Sequence, residues 1–113
     1  KFIYDDAYEY LSKSIETYDI LVFAHVAGYF ETPSEVFKKF KPFFKKYFIE
    51  VPDFDFSYSN HYRKHEKRSL IFTDKNYVNE FNRDEILKEI NKAGLNVSEM
   101  ECRYGQIRIW CDC

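Results

Sequence analysis

At 113 residues the chain has room for one hydrophobic core and excludes a pair of independent domains. Aromatic residues make up 20% of it and apolar residues 45%, with only 3 glycines and 3 prolines, which excludes a disordered or low-complexity segment. The 17 basic and 19 acidic side chains leave a net charge of −2, so bulk electrostatic capture of nucleic acid is not expected.

No apolar run approaches the roughly 18 residues of a membrane span, and no signal-peptide pattern is present. The 3 cysteines crowd the end at Cys102, Cys111 and Cys113. A reducing, cytoplasmic setting without membrane attachment is the expectation. The chain opens at Lys1 directly on Phe2, Ile3 and Tyr4, as though an element had been cut into, so a piece of a longer polypeptide is expected.

Phe2, Ile3 and Tyr4 read as the end of a strand, and Asp5 with Asp6 as a turn. Asp6 can cap a helix over about 7–16, with Glu9 at the reciprocal position and Tyr8, Leu11 and Ile15 on one buried face. The next strand, over 19–25, carries the unbroken apolar run Ile20, Leu21, Val22 and Phe23, which predicts a strand covered on both faces. In an open parallel sheet ligands bind beyond the carboxyl ends of the strands, so His25, the first polar residue after this run, stands at the functional edge.

Thr32, Pro33, Ser34 and Glu35 combine a capping box with proline at the first helical position. The helix starting at Pro33 places Val36, Phe37 and Phe40 on one side and Lys38, Lys39 and Lys41 on the other; Pro42 ends or kinks it. A further apolar strand over 47–51 stops at Pro52, with Asp53 at its tip. Residues 53–68 lose periodicity and predict a functional loop or lid bearing His61, His65 and Glu66. Asn82 and Glu85 frame another capping box, for a helix with Ile86, Leu87, Ile90 and Ala93 inward and Gly94 as its left-handed terminator. Residues 95–104, a turn at Gly105 and Gln106, and an alternating strand over 107–111 predict an antiparallel hairpin. The fold class expected is a single α/β domain over 1–113, with a doubly wound, mostly parallel sheet closed by a C-terminal antiparallel hairpin.

In this order the elements resemble the C-terminal half of class I S-adenosylmethionine-dependent methyltransferases. Tyr18, Asp19, Ile20, Leu21 and Val22 with Ala24, His25 and Val26 are similar to that family's fourth strand and following loop. Ile49, Glu50, Val51, Pro52 and Asp53 resemble its fifth strand, and the stretch from Ile86 and Leu87 through Ala93, Gly94 and Val97 resembles its last helix and sixth strand. Gly105, Gln106, Ile107, Arg108 and Ile109 resemble the closing strand, notably in small-molecule C-methyltransferases. Two departures stand out: Phe43 and Phe44 follow Lys41 and Pro42 where the family has glycines, and the glycine-rich loop after the family's first strand is missing.

The resemblance implies S-adenosylmethionine as cofactor, a small-molecule acceptor as substrate, and the missing N-terminal half or a partner chain as the completion of the sheet. It places Asp5, Asp6, Ala7, Ala24 and His25 at the cofactor, with Asp6, or alternatively Asp5, accepting from the adenine amino group; a plain helix cap is the competing reading of Asp6. His25 and His65 are the expected catalytic groups, because imidazole titrates near neutrality. Tyr29, Asp53, His61 and Glu66 are the expected substrate contacts, Tyr29 by shaping the pocket or facing the sulfonium; core packing for Tyr29 and a merely solvated loop for the others are the competing, more ordinary readings. His61 and His65 with Cys111 and Cys113 could make four zinc ligands, but neither pair has a specific spacing and no metal is expected. A different class of function also fits: a non-catalytic immunity or inhibitor protein that binds its partner through the aromatic, acidic stretch 53–62.

Overall fold

The computed structural model describes residues 7–13, 16–56, 58–70 and 76–113, without the side chains of Tyr58, Ser59 and His61. The elements are α1 (Ala7–Lys13), β1 (Tyr18–Ala24), α2 (Pro33–Phe40), β2 (Phe44–Pro52), α3 (Tyr58–His65), α4 (Arg83–Lys92), β3 (Asn96–Arg103) and β4 (Gln106–Asp112). The expected strand at Phe2, Ile3 and Tyr4 and the turn at Asp5 and Asp6 lie outside the described residues.

The four strands form one sheet in the order β1-β2-β4-β3. The strands that resemble the family's fourth, fifth, closing and sixth strands therefore lie side by side in that order. The expectation of a mostly parallel sheet is corrected: β1 and β2 are parallel, whereas β4 runs antiparallel to both β2 and β3. The physical reason is the tight turn at the end of β3, which sends β4 straight back, and β4 then inserts beside β2. That turn sits one residue earlier than expected, at Tyr104 and Gly105, both left-handed at φ 53 and 72. Two consecutive positive φ values give the turn whose twist matches a hairpin.

Strand alternation turns Tyr47, Ile49 and Val51 of β2 and Ile107, Ile109 and Cys111 of β4 to the face covered by the helices, where all are buried with Phe23, Phe37, Ile86 and Ile90. Tyr47, buried among these, donates its hydroxyl proton to the Phe37 carbonyl, so its polar tip is satisfied inside the core. Helix α4 begins on the expected capping box: Glu85 N donates to Asn82 Oδ1 (2.9 Å) and Asn82 N to Glu85 Oε1 (3.0 Å). It ends at left-handed Gly94 (φ 73). Helix α2 starts at Pro33 as expected, but the Thr32 side chain makes no capping bond; its carbonyl accepts from Glu35 and Val36 instead.

Two further expectations are corrected. Residues 58–65 are helical rather than loop, because α3 is held from its flank: Asn60 is fully buried and its Nδ2 donates to the Phe54 carbonyl (2.7 Å). The run Ile20 to Phe23 is a strand, as expected, but is not covered on both faces. Phe23 is buried, whereas Ile20 is 47% and Val22 53% exposed on the opposite side. Among the described residues, the helices that pack on the sheet lie on the other face.

Candidate functional site

The parallel pair sets the geometry. Ala24 of β1 lies beside Glu50 of β2, so both strands carry their carboxyl ends to one edge of the molecule. His25 follows Ala24 in a left-handed conformation (φ 55), which costs a non-glycine residue on the order of 1 kcal/mol and turns the chain out of the strand. Its amide still donates to the Glu50 carbonyl (2.9 Å). Its Nε2 lies 2.6 Å from Glu50 Oε1, so residue 50 holds residue 25 through main chain and side chain together.

Glu50 is not alone. Arg108 of β4 donates through Nε to Glu50 Oε2 (2.7 Å) and through Nη1 to Glu101 Oε1 of β3 (3.0 Å). Register explains the contact: Glu50 pairs with Arg108 and Arg108 with Glu101, all on the face away from the helices. An ionic ladder thus crosses all four strands from His25 to Glu101. Hydrogen bonding from Arg108, against an upward push from burial and with His25 adding its share, holds Glu50 below its ordinary pKa of 4.5. Glu50 is therefore a carboxylate at neutral pH.

Asp53, at the end of β2, is 1% exposed and accepts from Arg83 Nε at the start of α4 (3.0 Å). Its Oδ1 is buried with no hydrogen-bond partner. Arg83 and the Lys64 ammonium lie 5.0 and 5.1 Å from the Phe56 ring, a cation-π arrangement that fastens the segment after β2 to α4. A strap formed by residues 77–81 ties the two strand tips together. Val78 and Asn79 donate their amides to the Gly28 carbonyl, Asn79 Nδ2 donates to the Phe30 carbonyl (2.6 Å), and Phe54 N donates to the Phe81 carbonyl (2.9 Å). The Tyr77 hydroxyl reaches the His25 carbonyl at 3.3 Å.

Among the expected site residues, Ala24 and His25 meet at the tip of β1, beside Glu50. Tyr29 is close by, 45% exposed, with its ring edge-on to Tyr77 at 4.8 Å. Asp53 ends the neighbouring strand, with its side chain committed to Arg83. His65 is exposed at the end of α3, and Glu66 just after it pairs with Arg68 (2.8 Å) rather than with His25. Ala7 begins α1 and borders an apolar hollow of about 410 Å³, with Tyr10, Leu11, Ile20, Leu21 and Phe44, along the outer edge of β1. Asp5 and Asp6 lie outside the described residues, as does the His61 side chain. Among the described residues no group of three or more potential metal ligands assembles. Burial pushes the Cys111 thiol up to about 12 and raises Cys102 as well, so neither is a ready nucleophile.

Sequence reasoning missed Glu50, Arg108 and Gly28. Glu50 did leave a signal, as the lone charge inside the apolar run from Tyr47 to Val51. Gly28 left none. A Cβ there would lie 2.7 Å from a Tyr77 ring carbon and 2.9 Å from the Asn79 carbonyl oxygen, so glycine is what lets the strap close.

Ala24 is small and exposed, and His25 turns away beyond it, which leaves the end of β1 accessible. The chain contains no glycine before Gly28 to form a phosphate- or methionine-cradling loop.

No family profile matches this chain, and a search of curated proteins finds no match. Solved structures do match in shape. The small RNA methyltransferase HEN1 superposes with a TM-score of 0.65 at 16% identity, over 87% of this chain and 14% of HEN1. The pyocyanin biosynthetic protein PhzM superposes with a TM-score of 0.60 at 10% identity, over 90% of this chain and 32% of PhzM. The chain thus spans a minor part of either protein. At these identities the likeness is one of fold alone.

Proposed function

We propose that this chain is the C-terminal part of an S-adenosylmethionine-dependent methyltransferase that acts on a small-molecule acceptor in the cytoplasm. One observation carries the reading: on a methyltransferase-like sheet, the carboxyl tip of β1 presents an imidazole in contact with an ionised carboxylate, His25 Nε2 to Glu50 Oε1 at 2.6 Å. A small acceptor is favoured over RNA by the net charge of −2. Free Cys102, Cys111 and Cys113 suit a reducing compartment.

S-adenosylmethionine, when bound, supplies the methyl group and the leaving thioether. Ala24 and His25 form the wall this chain contributes to its site, with Asp5, Asp6 and Ala7 on the adenine side. His25 takes the proton from the acceptor as the acceptor atom attacks. Tyr29 lines the acceptor side, His61 and His65 of α3 and Glu66 just beyond it recognise the acceptor, with His65 as a second proton acceptor, and Asp53 acts from the tip of β2 through Arg83, which it holds. The outer edge of β1 and the hollow along it receive the preceding strands of a longer polypeptide, which also bring the glycine-rich loop, and the helices of that part cover the half-exposed Ile20 and Val22.

The test is transfer of labelled methyl from S-adenosylmethionine by the longer polypeptide. His25→Ala is expected to lower the rate about 10²- to 10⁴-fold, the usual contribution of a general base. An unchanged rate removes His25 from the chemistry. The 113 residues alone are expected to give negligible transfer, and turnover by them contradicts the need for a preceding half.

A further inference from the structure

We infer that Glu50 is a positioning residue that locks neutral His25 in its Nε2–H tautomer, which makes Nδ1 the imidazole atom that takes the proton. The inference rests on the proposed methyl transfer for the role of Nδ1, and on geometry alone for the tautomer.

An ionised carboxylate can only accept hydrogen bonds. Glu50 is such a group, because Arg108 occupies its Oε2 at 2.7 Å and is itself held in place by Glu101 at 3.0 Å. The proton in the 2.6 Å contact between Oε1 and His25 Nε2 therefore sits on the nitrogen. Neutral imidazole has one N–H, so Nδ1 carries the lone pair. The main chain that carries the ring is held in place. The His25 amide is bonded to the Glu50 carbonyl (2.9 Å), the Tyr77 hydroxyl meets the His25 carbonyl (3.3 Å), and the left-handed backbone fixes where the side chain leaves the strand. The arrangement follows a general pattern: a carboxylate hydrogen-bonded to one imidazole nitrogen sets the tautomer and orients the other nitrogen for work. The ladder extends that logic by one step, since Arg108 keeps Glu50 ionised and aimed.

The proposal is tested by long-range proton–nitrogen correlation spectra of the ¹⁵N-labelled 113-residue chain, at a pH where the imidazole is neutral. A His61→Gln/His65→Gln background leaves His25 as the single histidine. The expected spectrum is a pure Nε2–H tautomer, and E50Q, whose amide can donate as well as accept, relaxes it to the mixture of a free imidazole. Arg108→Gln is the second variant, expected to relax the tautomer partway. An Nδ1–H tautomer in the parent chain, or the free-imidazole mixture there, overturns the proposal without reference to any variant. In the longer polypeptide E50Q is expected to lower kcat about 10-fold or more with KM little changed. A pure tautomer in a protein that transfers no methyl group retains Glu50 as the positioning residue and removes Nδ1 as base. A mixed tautomer in an active enzyme removes the positioning role and leaves the activity standing.

Discussion

On the helix-covered face of the sheet, Tyr47, Ile49, Ile107 and Ile109 are fully buried and Val51 nearly so, against Phe37, Ile86 and Ile90. On the opposite face Ile20 and Val22 stand half exposed, and the ladder from His25 through Glu50 and Arg108 to Glu101 runs across all four strands. Both faces use the same strands and differ by one residue of register. The first face is packed and apolar, so it holds the fold together. Among the described residues the second is charged and half exposed at Ile20 and Val22, so it is the face with room for added chain and chemistry.

That contrast is broken most sharply by mutation on the covered face. Ile109→Ala, at a fully buried position, is expected to cost about 2–5 kcal/mol, read as a lowered urea midpoint. A loss below about 1 kcal/mol would mean that this face is not the tight core described. Gly28→Ala comes next, at about 1–3 kcal/mol, because the added methyl group meets the Tyr77 ring and the fixed Asn79 carbonyl. Faster amide exchange at Val78 and Asn79, whose bonds go to Gly28, would locate the damage in the strap.

On the ladder face the effect is tied to pH. Glu50 has its folded pKa lowered, so its contribution is complete above its ordinary value of 4.5 and is lost as pH falls below that through the folded pKa. Stability measured between neutral pH and about pH 3 should therefore fall more steeply in the parent chain than in Glu50→Gln, which lacks the titrating group. Equal slopes would take Glu50 out of the folded-state electrostatics. The smallest effect is expected at the uncovered end: Val22→Thr should change stability by no more than about 0.5 kcal/mol in this chain. A larger loss there would mean that β1 is already covered.

What the sequence made legible was local. The capping box of Asn82 and Glu85, the terminator Gly94, the proline start of α2 and the hairpin around Gly105 each depend on residues close together in the chain, and each is found at or within one residue of its expected place. The helix α3 was not legible, because Tyr58 to His65 mixes aromatic, polar and basic side chains without a clean apolar stripe and is held by Asn60 reaching back to Phe54. The exposure of β1 was hidden for the opposite reason: four apolar residues in a row specify a strand that wants cover on both faces, and they say nothing of which segment brings it. His25 was legible as the polar residue that ends an apolar run. Its partners were not, since Arg108 is 58 residues from Glu50 and the two meet only once β4 inserts beside β2.

The proposed function requires S-adenosylmethionine to bind at the tip of β1 in a longer polypeptide. Titration calorimetry of S-adenosylmethionine into the longer polypeptide, read together with its thermal unfolding, tests this most directly. A measurable heat of binding and a raised unfolding midpoint are expected. A folded longer polypeptide that gives neither contradicts it.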